Sequence, residues 1–485
     1  AFFGSAATSD FSEAGDGLPH FSGSAQWSYR RFALHNAKLA EIAGGVDAFI
    51  IGSEMRGLTT ARDSASTFPA VTALQSLAAE ARAMLGEATT ITYAADWSEY
   101  AGYRPADASG DVFFHLDPLW ADANIDVVGI DWYAPLTDWR DGETHADAAL
   151  ARNIHDCAYL QGRIEAGENF DWYYASDADR RAQIRTPITD GAYDEAWVYR
   201  VKDIRSFWAN AHYDRPGGVR SPAPTDWVPQ SKPIWLVELG CAAIDKASNQ
   251  PNVFLDPKSS ESAAPYFSSG RRDDLIQRRV LDAYLDYWSG AANPISSLTG
   301  APMIEAAMLW AWDARPYPAF PARTDVWSDG AAWSRGHWLN GRAGLSGLAE
   351  VVSNICGRAS QEEVDVSALR GAVSGYVVDA PASARDALEP LMAAYDFTAA
   401  ERDGVITFFH EDDAPTAIDI DAFTAASAGR MYAHRDAGEA PIEARVRFID
   451  AARDYLIASV SARRLDRADG GVATLDAPLV LEAAS

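Results

Sequence analysis

The chain has 485 residues, 16 tryptophans and a net charge of −28 at pH 7, with an isoelectric point near 4.6. That acidity excludes the basic face a nucleic-acid grip needs and disfavours an anionic membrane surface, so a neutral or cationic polymer is the easier partner. The length suits two or three domains, and no apolar run approaches the ~18 residues of a membrane span.

The N-terminal run Ala1-Phe-Phe-Gly-Ser-Ala6 has no basic stretch and is no signal peptide; without Met it reads as the start of a fragment or processed product. Residues 26–43 have helical spacing of apolar positions and end at Gly44-Gly45. Residues 47–53 read as a buried strand, closed by Glu54. An Ala/Leu-rich helix is predicted over 70–86, then strands at Thr89–Ala95 and Ile125–Tyr133. A long polar stretch with a helix near 193–211 leads to a strand at Lys232–Glu238. A loop rich in Asn, Pro and Ser spans 246–270, followed by a helix near 271–289 and a strand at Glu305–Trp312.

Strands apolar on both faces, alternating with helices, predict a parallel sheet with helical cover. Five such strands are visible, whereas a closed (β/α)₈ barrel takes eight. Either the sheet is open or three early strands lie outside this chain.

The texture changes near 340. A helix is predicted over 346–358 and another over 382–395, with short strands at Gly375–Val378, Gly404–Phe409, Ala444–Phe448 and Tyr455–Val460. This part has no Trp; all 16 precede it. The expected division is therefore an α/β domain over 1–340 and a separate α+β module over 345–485. About half of the tryptophans are expected in the core, and the rest suit a cleft where flat rings stack on sugars. Cys157, Cys241 and Cys356 are widely spaced, so neither a zinc cage nor a disulfide framework is indicated, and Cys241 reads as a small buried thiol.

Glu54 and Glu238 each follow an apolar run, and a carboxylate at the C-terminal end of a buried strand is where a β/α barrel keeps its chemistry. Two carboxyls about 5–5.5 Å apart are what retaining glycoside cleavage requires. A lone strand-end glutamate reads more readily as a helix cap or an arginine partner; two after matching runs point to a site. Aromatic residues follow the other strand ends: Trp97, Trp132 and Tyr133, Trp310 and Trp312. Alternation along a strand assigns about half of them to the core. Asp131 and Asp313 are candidates for binding sugar hydroxyls or orienting a glutamate, and Glu99 is a weaker one near the cleft mouth.

The runs Ile50-Ile-Gly-Ser-Glu-Met-Arg-Gly-Leu-Thr59, Thr92-Tyr-Ala-Ala-Asp-Trp-Ser-Glu99 and Asp126-Val-Val-Gly-Ile-Asp-Trp-Tyr-Ala-Pro-Leu136 resemble a clan of retaining glycoside hydrolases built on the (β/α)₈ barrel, endo-β-mannanases in particular. The resemblance implies that Glu54 is the acid/base and Glu238 the nucleophile. The clan usually carries Asn before the acid/base; here it is Ser53, as a small hydroxyl residue also is in the mannanase-like family.

A narrower resemblance covers nearly the whole chain. Trp27-Ser-Tyr-Arg-Arg-Phe32, Asn249-Gln-Pro-Asn-Val-Phe254, Asp256-Pro-Lys-Ser-Ser-Glu-Ser262 and Trp310-Ala-Trp-Asp-Ala-Arg-Pro-Tyr-Pro-Ala-Phe-Pro321 are similar to the barrel-like domain of the large tail-tip protein of gene transfer agents, phage-like particles that carry bacterial DNA. Val364-Asp-Val-Ser-Ala-Leu369 and Ala382-Ser-Ala-Arg-Asp-Ala-Leu-Glu-Pro-Leu391 resemble the phage tail hub module that follows it. The resemblance implies a TIM-barrel-like domain whose early strands precede this chain, then an α+β hub module. It implies a place at the tail tip, acting at the bacterial surface on envelope polysaccharide, with other tail proteins as partners and a homo-oligomeric ring, a trimer, as the assembly. No cofactor, metal or direct nucleic-acid contact is expected. Three functions compete: an active glycanase, a barrel that binds sugar without cleaving it, and a purely architectural part.

Overall fold

A computed structural model describes residues 2–23, 27–63, 67–256, 259–260, 262–342, 344–361, 363–410, 441–465 and 470–481. Pro257, Lys258 and Glu261 of the Asp256–Ser262 motif lie outside the described residues. The chain divides into two compact units, Ala1–Asn340 and Gly341–Ser485.

The first unit is an α/β layer structure. Its sheet has five parallel strands in sequential order: β1 (Ala48–Ser53), β2 (Thr90–Asp96), β3 (Val128–Trp132), β4 (Ile234–Leu239) and β5 (Ile304–Leu309). These are the five strands read from the sequence, with ends moved by a few residues. Helices precede or connect them where the apolar positions recur at helical spacing. α1 (Tyr29–Ile42) starts where Ser28 accepts from the Arg31 amide. α2 (Pro69–Leu85) has Pro at its first position, buries Val71, Leu74, Leu77, Ala78 and Ala81, and stops at Gly86 with φ +80°. α3 (Asp274–Ser289) starts where Asp273 accepts from the Ile276 amide and buries Ile276, Val280, Ala283 and Tyr284.

One core gathers the outward strand residues Ile51, Ile91, Ile130, Ile234 and Leu236 with these helix faces. Trp120, Trp132, Trp208 and Trp227 join it, so Trp132 belongs to the core and not to a cleft. Cys241 is fully buried. No helix among the described residues is long and apolar enough to cross a membrane.

The crossover from β3 to β4 departs from expectation. The single helix predicted near 193–211 is instead a 3-10 turn at Ala196–Tyr199 and a short helix at Ile204–Ala209. Asp203 divides them: its carboxylate accepts from the Ser206 amide and caps a new helix. Beside it, fully buried Lys202 donates to the carbonyls of Pro135 and Ala166, which ties the crossover down.

Among the described residues the second unit packs α4 (Leu348–Arg358) and α5 (Ala384–Tyr395) with two three-stranded sheets and a two-stranded pair, Ser346–Gly347 with Ala372–Val373. One three-stranded sheet has the order β6 (Val364–Asp365), β8 (Val405–His410), β7 (Phe397–Arg402); the other has β10 (Leu456–Arg463), β9 (Glu443–Asp450), β11 (Val472–Leu481). Its own core holds Leu348, Val352, Leu391, Phe408 and Leu479. Gly375–Val378, expected as a strand, is not one. The Val377 amide donates to Pro478 O and the Val480 amide to Gly375 O, and the pairing extends no further as a ladder. Pro478 has no N–H to continue it.

Candidate active site

Ser53 ends β1 and Glu54 follows it, Asp131 lies in β3, and Glu238 lies in β4. β2 runs between β1 and β3, yet Ser53 Oγ donates to Asp131 Oδ2 at 2.9 Å. Two strand spacings measure about 9.6 Å, so this contact needs a wall curved toward its inner face. It also needs little bulk between, and the residues in register there are Ala94 on β2 and Gly129 on β3. Asp131 faces Glu238 in register across the next pair of strands. Tyr133, just past β3, donates its hydroxyl to Glu238 Oε2 at 2.6 Å.

The backbone at Glu54 is unusual. Its φ is +52°, in the left-handed region that a residue with a Cβ seldom occupies. Such a conformation costs of order 1 kcal/mol or more and persists only where neighbours enforce it. Here the Glu54 amide donates to Ala94 O at 2.8 Å, and the Met55 amide donates to the Tyr93 hydroxyl at 2.7 Å. Glu54 is exposed at the strand end.

The electrostatics separate the carboxyls. Asp131 has no solvent exposure, and burial with the charge of Glu238 pushes it up to about 8. The Ser53 hydrogen bond opposes that rise, while Glu54 and Asp96 add to it. Its Oδ1 is buried and has no hydrogen-bond partner among the described residues. Asp131 therefore holds a proton at neutral pH. Burial also raises Glu238, and the Tyr133 hydrogen bond pulls it back down. Burial and the Glu238 charge raise the Tyr133 hydroxyl, which keeps it a donor. A buried neutral acid, a glutamate hydrogen-bonded to a tyrosine and an exposed glutamate thus meet at neighbouring strand ends.

The remaining candidates are spread wider. Trp97, following β2, is half-buried against the core. The Trp310 backbone is drawn close to the end of β4: its amide donates to Leu239 O at 2.9 Å, and its carbonyl lies where a Cβ on Gly240 would approach to 2.6 Å. Trp310 and Trp312 are 46% and 67% exposed. Asp313 is already committed: Arg315 binds it at 2.9 Å, Trp338 Nε1 donates to it at 3.1 Å, and Arg315 lowers its pKa below the ordinary value. That places Asp313 in an ion pair with Arg315. Glu99 is buried and tied to Tyr93, not set at a cleft mouth.

Residues 27–321, more than half of the chain, match the family model of the GTA TIM-barrel-like domain. The chain belongs to that family. A second model, of a putative phage tail protein, matches residues 383–485, so the GTA domain is followed by a tail segment and the protein is phage-tail-associated. No curated protein matches. Among solved structures, a chain in a virion of a native gene transfer agent particle is 37% identical over 33% of this chain, with a TM-score of 0.30. This chain spans 37% of that one. The GH113 beta-mannanase of Alicyclobacillus acidocaldarius in complex with ManMIm is 16% identical, over 65% of this chain and 57% of its own, with a TM-score of 0.30. A GH113 beta-1,4-mannanase is 15% identical over 66% and 61%, with the same score.

Two residues beside these candidates, Ser53 and Tyr93, do not stand out in the sequence: Ser53 reads only as the neighbour of Glu54, and Tyr93 as one more buried strand residue. The signal was available in one respect: a Tyr in a strand otherwise made of Thr, Ile and Ala up to its closing Asp96 needs a partner for its hydroxyl.

Proposed function

We propose that the GTA domain is a retaining glycoside hydrolase of the tail tip, acting on cell-envelope polysaccharide during DNA delivery. In this reading residues 1–340 act on sugar and residues 345–485 form a hub-type module within a homo-oligomeric ring. The observation that supports it is the bonded cluster at neighbouring strand ends, Ser53 to Asp131 and Tyr133 to Glu238, beside a left-handed Glu54.

The mechanism follows from where the carboxyls sit: Glu238 bonded to Tyr133, with Asp131 in register beside it, and Glu54 exposed at the strand end. Tyr133 engages Oε2 of ionised Glu238, leaving Oε1 to attack the anomeric carbon. Glu54 gives its proton to the leaving oxygen as the glycosidic bond breaks. A glycosyl ester of Glu238 results. Glu54, now ionised, takes a proton from water; the water oxygen attacks the anomeric carbon, and Glu238 leaves as carboxylate. Asp131, neutral beside Glu238, avoids a second negative charge next to the nucleophile.

The test compares wild type with Glu238→Gln on envelope polysaccharides, reading reducing-sugar release. Release by wild type that falls at least about a thousandfold in the variant supports the mechanism. Equal release from both overturns it. Sugar binding without release, unchanged in Glu238→Gln, makes the domain a sugar-binding module instead.

A further inference from the structure

We propose that Tyr93 and Glu99 are positioning residues that clamp the backbone of Glu54 and thereby aim its carboxyl. The inference rests on the reading of Glu54 as the acid/base.

The clamp is built in sequence. Glu54 has φ +52°, and its own amide is held by Ala94 O at 2.8 Å. The next amide, of Met55, donates to the Tyr93 hydroxyl at 2.7 Å. Both acceptors lie in β2, so the strand grips the turn on each side of the left-handed residue. A hydroxyl that accepts a hydrogen bond still has its proton to place. Tyr93 turns that proton to Glu99, whose two oxygens each lie 3.2 Å away. Tyr93 has no solvent exposure and Glu99 is 1% exposed, so neither reaches a polysaccharide.

Glu99 is anchored in turn. It accepts from the Asp96 amide at 3.2 Å and from the Thr59 hydroxyl. Thr59 ends the short helix Arg56–Thr59 that follows Met55. The chain thus leaves β1, passes Glu54, makes one helical turn and is fastened back to the end of β2 at two points. Burial raises the Glu99 carboxyl, and three hydrogen bonds, from Thr59, the Asp96 amide and Tyr93, oppose the rise. Removing the Tyr93 hydroxyl takes the acceptor from the Met55 amide and one donor from Glu99. What is lost is one of the two holds that keep Glu54 left-handed.

The experiment compares Tyr93→Phe with Tyr100→Phe in the full chain. Tyr100 is the control: its hydroxyl donates to Val201 O at 2.8 Å, and the side chain is 1% exposed. Two readouts need no turnover: hydrogen exchange of the Met55 amide, and the ¹³C titration of the Glu54 carboxyl. In Tyr93→Phe the amide is expected to exchange at least about tenfold faster and the Glu54 titration to move; Tyr100→Phe leaves both as in wild type. A third readout uses glycosides with a poor or an activated leaving group. Misplacing the acid slows the poor leaving group at least about tenfold more, because only that oxygen needs the proton.

A Glu54 titration in folded Tyr93→Phe that superimposes on wild type, or a shift matched by Tyr100→Phe, overturns the clamp. Equal slowing of both leaving groups overturns it too. If Tyr93→Phe does not fold, Thr59→Val takes its place with the same expected directions and the same overturning results. If wild type cleaves no glycoside, the hydrolytic reading falls and the Glu54 titration alone decides the clamp.

Discussion

The Tyr133 hydroxyl donates to Glu238 Oε2 at 2.6 Å, joining the end of β3 to β4. That bond favours the charged carboxylate and works against the burial that raises Glu238. Tyr133→Phe keeps the ring, which is packed edge-on to His337, and removes only the bond. Glu238 then titrates at a higher pH than in wild type. The acid limb of glycoside cleavage moves to higher pH with it, and kcat falls about 10–100-fold, the worth of a hydrogen bond to a charged group. A ¹³C titration of Glu238 in the two proteins checks the direction without turnover; a Glu238 curve that does not move contradicts the assignment.

Asp131 makes stability depend on pH in an uncommon sense. Its folded pKa of about 8 lies above its unfolded value near 4. Between those values the folded state binds more protons, so stability falls as pH rises through that window. The penalty is absent below about pH 4 and complete above about pH 8. Asp131→Asn keeps an oxygen to accept from Ser53 and cannot ionise. The variant is expected to lose less stability than wild type between pH 5 and pH 8.5, with a gap in Tm change of about 2 °C or more. Parallel losses in the two proteins would show that Asp131 is ionised throughout.

How much was legible follows from which interactions are local. The five strands and three long helices of the first unit are written in apolar periodicity and in end signals such as Ser28, Pro69 and Gly86. The split helix in the β3–β4 crossover was less so: Asp203 caps the new helix locally, but the crossover is tied down by Lys202 finding the carbonyls of Pro135 and Ala166 far away in sequence. Glu54 and Glu238 stand out as carboxylates after apolar runs. Their partners do not: Ser53 meets Asp131 across an intervening strand, and Tyr93 meets Glu99 around a turn. Asp313 carried the same strand-end signature as Asp131, and only the arginine two residues on, Arg315, sets them apart.

Gly129 is where the site depends on a missing side chain. It lies two residues before Asp131 and pairs with Ala94. A Cβ placed there would sit 2.5 Å from the Tyr93 carbonyl oxygen and 2.9 Å from Thr92 Oγ1. The nearest obstacle is backbone, which cannot rotate away, so Gly129→Ala must separate β2 from β3. Overpacking of this kind costs about 1–3 kcal/mol. It also widens the gap that Ser53 spans to reach Asp131, so that bond weakens as well. Two measurements check it together: a lower urea midpoint, and an Asp131 ¹³C titration shifted further upward through loss of the Ser53 donor, whose effect is to lower it. A variant with wild-type stability and an unmoved Asp131 curve would mean that the strands accommodate the methyl group and that the close β2–β3 approach does not hold the site.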